Sequence, residues 1–196
     1  MGQAITPGNP REIDAQTSIE IGSLRGIVVG GGEPVLNFST KTFLQTAHPD
    51  QEILIHFNGT VRPDSEFLDL CKGFKHMVFC FSIDGVAEQF EYLRWPAQWH
   101  RVQNNVIWMR DSAPDHVRFA VNITVSPLNQ HYYTGIIDWV NQVLPDNKQG
   151  QPTQITYNHT GEILSAQYLD TLDRKRNLNW RKLFPLAVKA IDQKIQ

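Results

Sequence analysis

Three glycines, Gly30, Gly31 and Gly32, run directly into a carboxylate, Glu33, and then Pro34. A backbone stripped of side chains lets a ligand come close to its polar groups, and Glu33 sets a negative charge or a proton acceptor beside it. Small polar clusters recur downstream: Asn58-Gly59-Thr60, Ser82-Ile83-Asp84-Gly85, Asn122 with Thr124, Ser126 and Pro127, and Asn158-His159-Thr160. Ser82 and Asp84 are two residues apart, as are Asn122 and Thr124, so on a strand each pair faces one side. Such groups suit the recognition of polar ligand atoms. Glu33 and Asp84 are the two carboxylates among them placed to act as a base. His56, His76, His116 and His159 are scattered and form no recognised metal spacing.

Each cluster follows an apolar run of strand length. The runs are 26–29, 53–57, 77–83, 117–125 and 153–157, most of them rich in β-branched and aromatic residues. The third, "MVFCFSI", is almost wholly apolar, which predicts a strand buried on both faces. Helical spacing lies between the runs. "PDSEFLDLCKGF" offers Asp64 or Ser65 as a cap, then Phe67, Leu68, Leu70, Cys71 and Phe74 at helical spacing. Trp99, Val102, Val106 and Met109 form a second stripe; Ile136, Val140, Val143 and Leu144 form a third. Alternating strands and helices predict parallel βαβ units with right-handed crossovers. The predicted architecture is α/β, with about five parallel strands alternating with helices. In such sheets ligands sit at the carboxyl ends of the strands, where the clusters above gather. "NWRKLFPLAVKAIDQKI" predicts a C-terminal docking helix bent or restarted at Pro185.

Bulk properties narrow the function classes. A chain of 196 residues can bury one sizeable core. A net charge of −2 gives no electrostatic reason to expect nucleic acid or an anionic membrane as partner. "MGQAITPGNP" lacks the basic-then-apolar pattern of a signal peptide, and no apolar run approaches membrane-spanning length, which predicts a cytoplasmic protein. Cys71 and Cys80 are too few for a disulfide framework and match no metal motif, so free core thiols are expected.

Taken in order on successive strands, Gly31-Gly32-Glu33-Pro34, Asn58-Gly59-Thr60 and Ser82-Ile83-Asp84-Gly85 resemble the radical S-adenosylmethionine superfamily. The twitch-type branch, whose core carries a short C-terminal extension, is the nearest in pattern. "FEYLRWPAQWHRVQNNV" and "LDRKRNLNWRKLFP" are similar to that branch too, so the resemblance spans roughly 11–185. It implies an α/β fold that is an incomplete TIM-like barrel of about five parallel strands, with an N-terminal arm over 1–10, the truncated partial barrel over 11–160 and a helical extension over 161–196. It also implies S-adenosylmethionine as ligand. The backbone of Gly31, Gly32, Glu33 and Pro34 would receive the methionine ammonium, with Glu33 holding the loop or lending negative potential. Asn58 lies on the second strand exit, Ser82 and Asp84 would grip ribose hydroxyls or other polar atoms, and Asn122 and Thr124 would face the cavity. Arg94 would pair with the ligand carboxylate. Plainer readings stand beside these: a tight turn for the glycines, a helix cap for Ser82 and Asp84, a solvated Arg94, and a satisfied core amide for Asn122.

The superfamily's Cys-x3-Cys-x2-Cys loop, which holds a [4Fe–4S] cluster, has no counterpart here. "REIDAQTSIEIGS" resembles the end of the helix that follows that loop, which implies that the first strand and the cluster segment are missing. Radical chemistry by this chain alone is therefore not expected, nor a cluster held by it. The expected role is a pseudoenzyme-like platform that binds S-adenosylmethionine or another protein. The alternatives are a truncated or split radical enzyme, or an enzyme acting on the sulfonium by polar chemistry. An open sheet edge at 26–29, covered or not by "QAIT" at 3–6, would invite a protein partner or a second copy. Trp95 and Trp99, beside Arg94 and Arg101, offer another interaction surface or else a buried helix stripe.

Overall fold

The computed structural model describes residues 25–159 and 166–192. Five strands form one parallel sheet in the order β1-β2-β3-β4-β5: Gly26–Val29, Glu52–Phe57, His76–Ser82, Arg118–Val125 and Gln154–His159. Strand order equals chain order, which is how successive right-handed βαβ units build a barrel wall. All five predicted strands are present, with ends moved by at most two residues. Five parallel strands with alternating helices make the α/β, partial TIM-like fold expected from the sequence.

The helices that follow are α1 (Phe38–Thr46), α2 (Ser65–Cys71), α3 (Ala87–Leu93), α4 (Trp99–Ser112) and α5 (Tyr133–Val143). Asp64 caps α2, accepting a hydrogen bond from the Phe67 N–H at 2.9 Å, which satisfies an otherwise orphan donor. The stripe on α4 buries Val102, Val106 and Met109; that on α5 buries Ile136, Trp139 and Val140.

Register divides the sheet into two unlike faces. On the outer face, Ile55, Phe57, Phe79, Phe81, Val121 and Ile123 are wholly buried under α1–α5 in one cluster. The inner face carries Glu52, Leu54 and His56 of β2, His76, Val78, Cys80 and Ser82 of β3, Arg118, Ala120, Asn122 and Thr124 of β4, and Thr156 and Asn158 of β5. None of these belongs to a helix-covered cluster. The third run is accordingly not buried on both faces. On the outer face Met77, Phe79 and Phe81 are fully buried; on the inner face Cys80 is buried too, but Val78 and Ser82 are only half-buried. The physical reason is curvature: a barrel wall has helices on its convex side only.

A second cluster lies beside the first. Tyr92 of α3 and Leu128 pack with Leu169, Trp180 and Ile191 from α6 (Ala166–Arg176), α7 (Trp180–Leu183) and α8 (Pro185–Asp192), and with Phe184 between the last two. The chain breaks at Phe184 and restarts helically at Pro185, where a missing N–H costs nothing. Gln89 fastens this unit to α3 by donating to the Leu183 carbonyl at 2.8 Å. The segments 3–6 and 11–23 and Thr160 lie outside the described residues. Among the described residues, no helix is long and apolar enough to cross a membrane.

Candidate functional site

The glycine turn after β1 needs its glycines. Gly31 and Gly32 have φ of +93° and +63°, a region that side chains disfavour, and a Cβ at either would meet nothing within 4 Å. The turn is open on that side. Glu33 then folds back toward the end of β2, where its Oε2 accepts the Asn58 N–H at 3.1 Å. Only 8% of Glu33 is exposed, and Oε1 is buried without a hydrogen-bond partner. Burial pushes its pKa up to about 7, against the pull of the backbone N–H groups of Asn58, Gly59, Val35 and Thr60. Glu33 thus ties the first strand exit to the second.

That second exit is a side-chain-closed turn. Asn58 Oδ1 accepts from the Thr60 N–H at 2.9 Å and from its hydroxyl at 2.7 Å. Gly59 has φ of +75°, and an added Cβ would stand 3.0 Å from Val102 Cγ1 on α4. Its carbonyl accepts from buried Asn105 of α4 at 2.9 Å, and Asn105 Oδ1 accepts in turn from Arg62 Nε at 2.8 Å.

Asp84 organises the third and fourth exits. Ser82 ends β3, while Asp84 lies in the bend beyond it. Asp84 Oδ2 accepts from Arg94 Nε at 2.5 Å and Oδ1 accepts from the Thr124 N–H at 2.6 Å. Both carboxylate oxygens are therefore engaged within the protein. Neither Ser82 nor Asp84 caps α3, whose cap position is Val86 and makes no side-chain bond. Asn122 Oδ1 accepts from Thr156 Oγ1 at 3.1 Å and Asn158 Nδ2 at 2.9 Å, so the core-amide reading fits that oxygen. Ser82, Asn122 and Thr124 share the inner face of the sheet. Asn129, which sequence reading passed over, donates through Nδ2 to the carbonyls of Asp84 and Thr124, both at 2.9 Å. Its signal was present in "SPLN": Ser126 donates to Asn129 Oδ1 from N–H and hydroxyl, a local turn built by an amide.

The second of these exits borders a cavity of about 760 Å³ at the carboxyl rim. Asn58, Thr60, Arg94, Trp95, Gln98 and Arg101 supply its polar and aromatic lining, and Phe90, Leu93 and Val102 its apolar wall. Of the residues singled out from sequence, Asn58 and Arg94 line it directly. Glu33 and Asp84 stand behind them, each one hydrogen bond away. Gly31, Gly32, Pro34, Ser82, Asn122 and Thr124 share the rim without lining this cavity. Arg101 and Gln98 were not foreseen as site residues. Trp95 is 54% exposed, with the Arg176 guanidinium 5.9 Å from its ring. Trp99 instead packs between Phe90 and Trp139, with both ring centroids 5.1 Å away, so it belongs to the helix stripe.

The chain's own thiols do not fit an iron–sulfur cluster. Cys71 on α2 and Cys80 within β3 are both free and buried, away from the rim, and burial holds their pKa values up at about 12 and 11. Among the described residues, no group of three or more His, Cys, Asp or Glu side chains is arranged to hold a metal ion.

No family model matches the chain, and no curated protein matches its sequence. Solved structures do match the fold. SuiB of Streptococcus suis superimposes with a TM-score of 0.53 at 12% identity, over 78% of this chain and 35% of SuiB. SuiB bound to S-adenosylmethionine gives the same values over 36% of its length. SuiB bound to the precursor peptide SuiA matches 79% of this chain. The chain thus spans about a third of the structures it resembles. At this identity the likeness speaks for the fold alone.

Proposed function

We propose that the chain is a binding platform whose carboxyl rim takes a sulfonium nucleoside of the S-adenosylmethionine type, without radical chemistry of its own. One observation carries the reading. Two buried carboxylates, Glu33 and Asp84, engage residues that line a single cavity from two different strand exits. That arrangement preorganises a polar site on rigid elements. The match to a structure solved with S-adenosylmethionine supports the choice of ligand. In this reading, carbonyls of the glycine turn accept the ligand ammonium, and Glu33 supplies negative potential behind them. Arg94, oriented by Asp84, pairs with the ligand carboxylate. Ser82, Asn122 and Thr124 offer hydroxyl and amide groups to the ribose. When bound in radical enzymes, the cluster supplies the electron that cleaves the sulfonium; this chain offers no thiolates at the rim to hold one.

Calorimetry with S-adenosylmethionine tests the proposal. Micromolar binding is expected in the full chain, with a loss of about tenfold in Arg94→Gln, the size of one charge-assisted pair. No heat in the wild-type protein overturns it. Incubation followed by chromatography for methylthioadenosine, homoserine lactone or deoxyadenosine separates binding from turnover. Any product at catalytic rates would favour an enzyme instead.

A second reading rests on the sheet edge. β1 is the terminal strand among the described residues, its Val28 is 67% exposed, and Phe38 at the start of α1 is 83% exposed. Such an edge suits a protein partner or a second copy, and SuiB has been solved with a peptide. A protein that runs as a monomer in light scattering and retains nothing in pull-downs would exclude this role.

A further inference from the structure

The pole opposite the carboxyl rim holds a second polar cavity of about 410 Å³, lined by Glu52, Lys75, His76, His116, Arg118, Gln149 and Gln151. Strands β2, β3 and β4 begin here. Glu52 pairs in register with His76, and Arg118 with Val78, two residues further along β3. Glu52, His76 and Arg118 therefore stand on the inner face, on neighbouring strands about 4.8 Å apart. The next chain segments complete the wall. Asn147 Oδ1 accepts from the N–H groups of Gln149 at 3.0 Å and Gln151 at 2.8 Å, and its Nδ2 donates to the Val117 carbonyl at 3.3 Å. The glutamines are thus fixed relative to the start of β4.

Two groups in this wall lack partners. Arg118 is half-buried, yet its guanidinium makes no ion pair or hydrogen bond among the described residues. His116 Nε2 is buried with no hydrogen-bond partner. Removing a guanidinium from water without an acceptor is costly, and its fork geometry matches a phosphate or carboxylate. Lys75 adds a point charge, held at 2.5 Å by Asp50 outside the wall. Imidazole and carboxamide groups supply further donors. Glu52 is the one carboxylate of the lining. It would repel an anion but accepts hydroxyl protons, and the volume exceeds what a lone phosphate fills.

We infer that this amino-terminal mouth binds the phosphomonoester of a small hydroxylated carrier. Arg118, Lys75 and His116 take the phosphoryl oxygens, and Glu52 takes the carrier's hydroxyls. The site is independent of the carboxyl rim and of the ligand proposed there.

The test is calorimetry on the full chain with ribose 5-phosphate, inorganic phosphate and ribose, at constant ionic strength. Ribose 5-phosphate should bind more tightly than inorganic phosphate, and ribose should give no heat. Arg118→Gln should weaken ribose 5-phosphate binding by about tenfold or more, as loss of a charge-assisted pair does. Arg174→Gln, at an exposed position on α6, should leave it unchanged. Lys75 is exposed, so Lys75→Gln folds even if Arg118→Gln does not, and it should also lower affinity. Absence of heat with both phosphates overturns the site. So does unchanged affinity in both Arg118→Gln and Lys75→Gln. Equal affinity for inorganic phosphate and ribose 5-phosphate overturns the assignment of a hydroxylated carrier.

Discussion

Glu33 shows how one residue can couple conformation to pH. Its carboxyl is pushed up to about 7 in the folded chain by burial, from an ordinary 4.5. Between those values the native state holds a proton that the unfolded state has released, so stability falls as pH rises from about 4.5 through 7. At about 1.4 kcal/mol per unit of pKa, the effect is on the order of 3 kcal/mol. Urea unfolding from pH 5 to pH 8 should show this decline in the wild-type protein. Glu33→Gln should flatten it, since the amide keeps an acceptor for the Asn58 N–H. Parallel profiles for the two proteins would refute the assignment. Asp84 works differently. Asp84→Ala strips the acceptor from both Arg94 and the Thr124 N–H, and should cost about 2–4 kcal/mol in urea unfolding. Asp84→Asn should cost less, because an amide oxygen can still serve Thr124. Both carboxylates were legible in the sequence as strand-exit residues. Their separate tasks were not, because the partners lie 25 and 40 residues away.

At the scale of elements, the contact between the β2 exit and α4 is the most sharply defined. Gly59 is held at φ +75° with Val102 filling the space where a Cβ would stand. Gly59→Ala should destabilise the protein by about 1–3 kcal/mol through backbone strain, plus the cost of displacing Val102. Combining it with Val102→Ala should relieve the steric part only, leaving the strain visible in a double-mutant cycle of unfolding free energies. Full additivity in that cycle would mean that the two residues do not meet. The strands and the helices α2, α4 and α5 were readable because burial enforces periodicity. The even burial expected for 77–83 was not found, since Val78 and Ser82 on the inner face are only half-buried, although Cys80 between them is buried. A run of apolar letters cannot say which side of a strand meets helices.

At the scale of the whole molecule, the two thiols report on the integrity of the core. Cys71 is fully buried and Cys80 is 2% exposed, with pKa values held up at about 12 and 11. Neither should react with a water-soluble disulfide reagent in the native protein, and both should react in urea; rapid native labelling would contradict the packing described here. The amino-acid order by itself determined the parallel α/β class, the strand sequence and the gathering of small polar residues at strand ends. These follow from local periodicity and turn chemistry, which neighbouring residues encode. Only the tertiary structure decided that Arg94 answers to Asp84, that Asn129 locks the same loop, that Trp99 is packing while Trp95 borders a cavity, and that His116 and Arg118 share a second mouth. Some of these pairings span long separations, as Asn129 with the Asp84 carbonyl 45 residues away; others, as Arg94 with Asp84, join nearer residues. In each case the geometry depends on how the exits and helices pack in three dimensions, which no short stretch of sequence specifies.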